Sequence, residues 1–246
     1  RSTVATRVNK DGYIETVAID IPRLNYPFVD GVVQDCPSLL LQPVRTNLIT
    51  YSEDFSQGYW TKVRTTIVSG HSDPSGNLSA FKLFEDTSAS THFIYSQTFT
   101  TGIGNDYTTS VYAKADERDW IYISGISGES GYFDLRNGVV GTITLATATI
   151  EEMSDGWYKC SLTGEATGVT SRAYIYTVTG NDGGSYQGDG TSGVYIYGAQ
   201  VEQGSYPTSY IPNDGTTATI TRAAETANGA GTSADFNSSE GVLFAE

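Results

Sequence analysis

Aromatic and polar side chains recur at spacings of two along several stretches of this 246-residue sequence, and they are the residues best able to do chemistry in it. Alternate residues of a strand share a face. In Tyr107–Ala115 the alternation sets Tyr107, Thr109, Val111 and Ala113, which read as core, against Thr108, Ser110, Tyr112 and Lys114, a polar face with one ring and one cation. Trp120 and Tyr122 share a face of the following strand, and Arg172, Tyr174 and Tyr176 share one on a later strand. Tyr and Trp offer an apolar ring to the face of a sugar and a polar tip to its hydroxyls. The expected ligand-binding set is therefore Tyr112, Lys114, Trp120, Tyr122, Arg172, Tyr174 and Tyr176. Any one of them alone reads more readily as core or as decoration of an exposed sheet. Jointly they predict a binding face.

Acid-rich turns are the second candidate, because oxygen ligands on flexible turns suit calcium. Glu53 and Asp54 follow the first strand of the main body, while Gln200 and Glu202 lie near the end of its last strand. Adjacent strands would let these four share one structural calcium. Asp182 and Asp189, in the Gly180–Ser192 loop, form a second such pair, and no EF-hand pattern is present. Catalytic groups are scarcer. His71 and His92 lack metal-ligand spacing, no Gly-x-Ser-x-Gly elbow accompanies them, and both read as solvated or turn-capping. Neighbouring carboxylates such as Glu151 and Glu152 point to opposite faces of a strand, so they do not form the acid pair of a glycosidase by themselves. A lyase acting on uronates would need a base beside a cation, and Tyr112, Lys114 and Arg172 are the residues available for that role. No catalytic residue is assigned, and the chain reads as a non-enzyme.

Composition narrows the partners. Asp and Glu total 28 against 14 Lys and Arg, a formal net charge of −14. Such a chain repels phosphate backbones and argues against nucleic-acid or lipid-surface partners. No apolar run approaches the ~20 residues of a membrane span. The 2 cysteines, Cys36 and Cys160, read as separate thiols. Arg1 stands where an initiating Met would, so the sequence reads as part of a longer protein.

The elements that must position these residues are strands. The 27 Gly and 17 Tyr suit short strands separated by turns. Residues 1–45 read as an extended arm, rich in proline and carrying a hairpin across Asn9–Gly12. Strand candidates follow at Thr46–Trp60 (a strand and then a turn), Thr61–Ser69, Ala80–Glu85, His92–Thr100, Tyr107–Ala115, Trp120–Ser124, Gly131–Asp134, Ala148–Met153, Trp157–Glu165, Arg172–Thr179 and Val194–Glu202. This pattern predicts an all-β fold, a jelly-roll β-sandwich of two antiparallel sheets over residues 46–212. In the closing strand, alternation groups Tyr195, Tyr197, Ala199 and Val201 on one face, expected to meet the core, and leaves Val194 and Ile196 for the arm. Residues 213–246 read as a linker with a strand at Ala218–Ala223, ending in Glu240–Glu246 as the opening of a further domain.

The run PSLLLQPVRTNLITYSEDFSQGYWTK resembles a segment of bacteriophage tail-fibre and other virion-surface proteins, where it precedes a jelly roll similar to carbohydrate-binding modules. The resemblance continues through YTTSVYAKADERDWIYI, DGWYKCSL, GDGTSGVYIYGAQVEQGSYPTSYIP and TITRAAE, and SSEGVLFAE resembles the first strand of a concanavalin-like sandwich. Where relatives often carry Trp before Gly-Ala-Gln, this chain has Tyr197. The resemblance implies a β-sandwich, a virion-surface or extracellular location, and adhesion to a host polysaccharide or cell-surface glycan. A structural spacer or trimerisation module, with a homotrimer in the full-length fibre, is the alternative, and a polysaccharide depolymerase the remote one. The resemblance transfers no binding residue.

Overall fold

The structure is a computed structural model that describes residues 2–213, 215 and 218–226. Turns rich in Gly, Asn and Asp cut the chain into short β-branched and aromatic runs, and these pair as antiparallel ladders in two six-stranded sheets. The first sheet runs, edge to edge, through Thr147–Glu152, Trp157–Glu165, Asp106–Ala115, Gly193–Gln203, Ala80–Glu85 and Thr65–His71. The second runs through Val139–Thr144, Ser130–Asp134, Trp120–Ser124, Tyr174–Val178, His92–Ser96 and Trp60–Val63. Their inner faces meet in one core, where Val111, Leu162, Val194 and Ile196 face Ile94, Ile121, Ile123, Phe133 and Ile175. The protein is thus an all-β sandwich.

Three strand assignments change. The Thr61–Ser69 candidate divides at Arg64, whose φ of 55° breaks the ladder, so Trp60–Val63 enters one sheet and Thr65–His71 the other. Val139–Thr144 is an added edge strand, its alternation obscured by Gly141 and by a register shift between Gly131 and Phe133. Before Trp60, no strand of the Thr46–Trp60 candidate joins either sheet. Instead Arg45–Asn47 pairs with Ile220–Arg222, and the Leu48 N–H donates to the Val201 carbonyl at 2.8 Å.

The hairpin of Ala5–Val8 and Ile14–Val17 lies over the outer face of the first sheet. There Ile14, Ala80, Tyr112, Met153, Trp157, Tyr197 and Tyr210 form a second buried cluster. Arg23, fully buried, holds the arm in place. Its Nη1 donates to the Thr6 carbonyl at 2.7 Å, and its Nε donates to Glu225 Oε1 at 2.7 Å. Among the described residues, the arm therefore covers the outer face of the first sheet and leaves that of the second open. Residues 240–246 lie outside the described residues.

The closing strand keeps the expected facing at Ala199 and Val201 and reverses it from Val194 to Tyr197. Val194, Ile196, Ala199 and Val201 all point into the main core, whereas Tyr195 and Tyr197 point toward the arm. The cause is a bulge at Gly198, with φ of 59°, opposite a register shift between Ser110 and Tyr112. The extra residue resets the period of two. A Cβ on Gly198 would stand 3.1 Å from the rings of Tyr112 and Tyr210. Left-handed backbone costs an L-residue about 1–2 kcal/mol. Gly198→Ala should therefore lower the melting temperature by roughly 4–8 °C for ~2 kcal/mol in a chain of this size, and an unchanged melt would show that the bulge is not held.

Candidate functional site

The uncovered face of the second sheet gathers the aromatic residues. Along each strand, apolar β-branched or aromatic residues point inward and the alternate rings point out. Ile121 and Ile123 are fully buried while Trp120 and Tyr122 are partly exposed, and Ile175 and Thr177 are buried while Tyr174 and Tyr176 are not. Register then lines the rings up. Val63 stands opposite Phe93, Phe93 opposite Tyr176, Tyr176 opposite Tyr122, and Tyr122 opposite Tyr132. Ring centroids are 4.6 Å apart for Phe93–Tyr176, 5.0 Å for Tyr176–Tyr122 and 4.5 Å for Tyr122–Tyr132. A second row joins Tyr95 to Tyr174 at 5.3 Å, and the Arg172 guanidinium lies 5.0 Å over the Tyr95 ring. Trp120 flanks the row against Gly141, where a Cβ would come within 2.8 Å of the indole. Three strand spacings from Phe93 to Tyr132 make the row roughly 14 Å long.

Burial pushes the hydroxyls of Tyr176 and Tyr132 up, and Asp182 adds to the effect at Tyr132. Both phenols keep their protons at neutral pH and can donate to a ligand. The face offers apolar ring surface, hydroxyl donors and one guanidinium.

Trp120, Tyr122, Tyr174 and Tyr176 are thus brought together on one sheet, and Arg172, just before the Tyr174–Val178 strand, joins their face over Tyr95. Tyr112 and Lys114 are not, and their place in the binding set is corrected here. Both belong to the Asp106–Ala115 strand of the first sheet. Tyr112 is buried beneath the arm, 6.2 Å from the Tyr197 ring and 5.8 Å from the Tyr210 ring. The set that would have served a lyase is divided with them. Phe93, Tyr95 and Tyr132 belong to the face and were overlooked, although the alternation in HFIYS and SGYFD carries the same signal.

The four residues expected to share a cation serve internal contacts. Tyr197 donates its hydroxyl to Glu53 at 3.0 Å, and Asp54 accepts the Ser56 N–H at 3.0 Å and Gln57 Nε2 at 2.7 Å. Gln200 donates to Glu202 at 2.8 Å. Glu202, fully buried, also accepts Thr208 through its N–H at 2.8 Å and its hydroxyl at 2.6 Å. Among the described residues, no group of three His, Cys, Asp or Glu side chains is placed to hold a metal. Asp189 caps its own turn through Thr191 and Ser192. His92 is buried rather than solvated, its Nδ1 2.9 Å from the Arg64 carbonyl, and His71 packs on Tyr195. Cys36 and Cys160 are both free thiols.

Glu129 is a buried acid that, among the described residues, no cation faces. One of its oxygens accepts the Ser127 N–H at 2.5 Å and the other has no partner. Burial pushes its carboxyl up. A carboxyl raised on folding stabilises fully below its unfolded pKa, and that contribution is lost as pH rises through the folded value. Glu129→Gln should therefore stabilise the protein at pH 7 by about 1–2 kcal/mol and flatten the rise in stability toward acid. A variant that melts lower at pH 7 would show the carboxylate to be needed.

No protein-family model matches the chain, and no curated protein matches it. Solved structures do. The CBM22-1–GH10 modules of Clostridium thermocellum endo-1,4-beta-D-xylanase 10B, complexed with xylohexaose, are similar over 70% of this chain at 15% identity and a TM-score of 0.39, and the match spans 30% of that chain. A Bacteroides thetaiotaomicron protein, provisionally described as sugar-binding, is similar over 65% of this chain and 94% of its own at 14% identity and a TM-score of 0.34. Likeness at this level assigns no ligand. Among the described residues no helix is long and apolar enough to cross a membrane.

Proposed function

We propose that this chain is a non-catalytic glycan-binding module that holds a cell-surface polysaccharide against the open sheet, in the setting of a phage tail or other virion surface. One observation carries the reading: an in-register row of partly exposed rings on the sheet face that the arm leaves bare. Contiguous exposed aromatic surface costs free energy unless a ligand or partner covers it. A sugar chain lying along the row meets apolar ring faces and phenolic donors together, the combination that both stacking and hydroxyl recognition require. Repetition of the module in an oligomeric fibre would raise weak single-site binding to useful avidity.

Trp60 and Trp157 are 1% and 0% exposed, which leaves Trp120, beside the row, as the tryptophan open to a ligand. Titration with a panel of bacterial surface polysaccharides should change its fluorescence for at least one of them. A panel without any response, confirmed by unretarded migration in polysaccharide-containing gels, would defeat the reading. The spacer or trimerisation reading draws on a different observation, the exposed aliphatics Ile19, Ile21, Leu24, Leu39 and Leu41 on the arm. Light scattering that shows a trimer, with no glycan response, would favour it.

A further inference from the structure

The charge on the open face names the class of glycan, given that the face binds glycans at all. Carboxylates outnumber cations in this chain, 28 to 14, and several of its cations are held in ion pairs. Arg7 is held by Glu15, Arg23 by Glu225, Lys82 by Asp116 and Glu117, Arg118 by Glu85, and Arg136 by Asp119. Arg172 differs. Among the described residues no carboxylate pairs with it, and its contact is the Tyr95 ring at 5.0 Å. It stands just before Tyr174 and Tyr176 and two residues from the first of them, on their side of the strand. The opposite end of the row carries the opposite sign. Asp182 acts on the Tyr132 hydroxyl there, and its carboxylate accepts the Thr142 hydroxyl at 3.3 Å. The binding face is therefore polar along its length, with a cation beside Tyr95 and a carboxylate beside Tyr132.

We infer that the ligand is an acidic polysaccharide, with an anionic substituent of one sugar paired to Arg172 and the adjoining sugars lying along Tyr174, Tyr176 and Tyr122. A guanidinium stacked on a ring has its plane set in advance, and its remaining N–H groups form a fork that matches a carboxylate or a sulfate. The protein's overall negative charge opposes this approach only weakly, because charges more than about 8–10 Å away are screened at physiological salt. The row, roughly 14 Å long, accommodates a short run of sugars, so the charge contact selects while the rings hold.

The test compares each charged chain with its neutral twin by calorimetry. Oligogalacturonate against its methyl ester reads a carboxylate, and dextran sulfate against dextran reads a sulfate. The wild-type protein should prefer at least one charged member by roughly tenfold, the scale of one charge-assisted hydrogen-bonded contact. Arg172→Gln should erase that preference, bringing the charged chain down to the affinity of its neutral twin, and Arg172→Lys should restore part of it. Equal binding of both twins to the wild type would overturn the acidic assignment and leave the glycan platform standing. Loss of neutral and charged binding alike in Arg172→Gln would also overturn it, showing that Arg172 only props the Tyr95 ring. Absence of binding to every chain, with no response at Trp120 to any surface polysaccharide, would remove the platform and this assignment together.

Discussion

Replacing Tyr122 and Tyr176 together by Ala should abolish measurable glycan binding while leaving the protein folded. The two rings are directly opposite in register and 5.0 Å apart at the centre of the row. Tyr176 also stacks on Phe93 at 4.6 Å, and Tyr122 meets Tyr132 at 4.5 Å in a tilted contact, so their loss cuts the row into separated ends. A buried tyrosine anchor in an interface is commonly worth more than 1 kcal/mol. Two such losses amount to roughly thirtyfold or more in affinity at 1.4 kcal/mol per decade. The fold should survive, because the inward residues Ile121, Ile123 and Ile175 keep the core and the backbone ladder is untouched. Tyr112→Ala is the control. It empties a site in the second core and should cost about 3–5 kcal/mol without acting on the open face. Wild-type affinity in a folded double variant, measured on any glycan that the parent binds, would remove the platform from consideration.

Glu85→Ala should be the most damaging single charge substitution. Glu85 is 1% exposed and ends the Ala80–Glu85 strand. Its carboxylate receives Arg118 through both Nε at 2.9 Å and Nη2, the Tyr186 hydroxyl at 2.6 Å and the Asp189 N–H at 3.0 Å. Arg118 in turn lies 5.3 Å over the Tyr186 ring. The acid thus ties the Arg118 turn to the loop that precedes the closing strand. Its removal leaves a guanidinium, a hydroxyl and an amide without their acceptor. Breaking a buried pair costs about 3–5 kcal/mol, and Arg118 keeps some access to water, so the lower end applies. The melting temperature should fall by roughly 6–12 °C.

The pH dependence checks the cause. Burial alone would push the Glu85 carboxyl up, but hydrogen bonds from Arg118, Tyr186 and Asp189, with the Arg118 charge, outweigh it and hold the carboxyl below its usual range. A depressed acid stabilises above its unfolded pKa of about 4.3, and that contribution is lost as pH falls through the folded value. The gap in melting temperature between wild type and Glu85→Ala should therefore narrow as pH drops below about 4. A gap that stays constant into acid would assign the effect to packing. Glu129 carries the opposite sign, so the two acids can be separated in one pH series.

Local alternation explains what could be read before the fold was known. Trp120–Ser124, Ala80–Glu85 and Trp157–Glu165 appear as strands with their expected ends, because the contrast between inward Ile and outward Tyr lies within five to nine consecutive residues. Five of the seven expected binding residues share one face for the same reason. The signal failed where a distant segment intervenes. Tyr112 alternates just as Tyr122 does, yet a hairpin from the first 17 residues lies over it. Glu202 reads as an exposed strand-end ligand, yet Thr208, Gln200 and Arg45 surround it.

The amino-acid sequence by itself determined that this chain is built of strands, where most of them lie, and that rings alternate with aliphatics along them. Those properties follow from the two-residue repeat of an extended backbone, which needs no partner to be legible. Only the tertiary structure decided which rings stay open. One extra residue at Gly198 exchanged the faces of the first half of the closing strand, and the arm covered one sheet while leaving the other open. Parity past a bulge and cover from a remote segment are set by contacts between residues far apart in the chain, 204 apart for Thr6 and Tyr210 and 220 for Thr3 and Ala223. The row from Phe93 to Tyr132 exists for that reason: four strands stand in one register on the face that the arm leaves open.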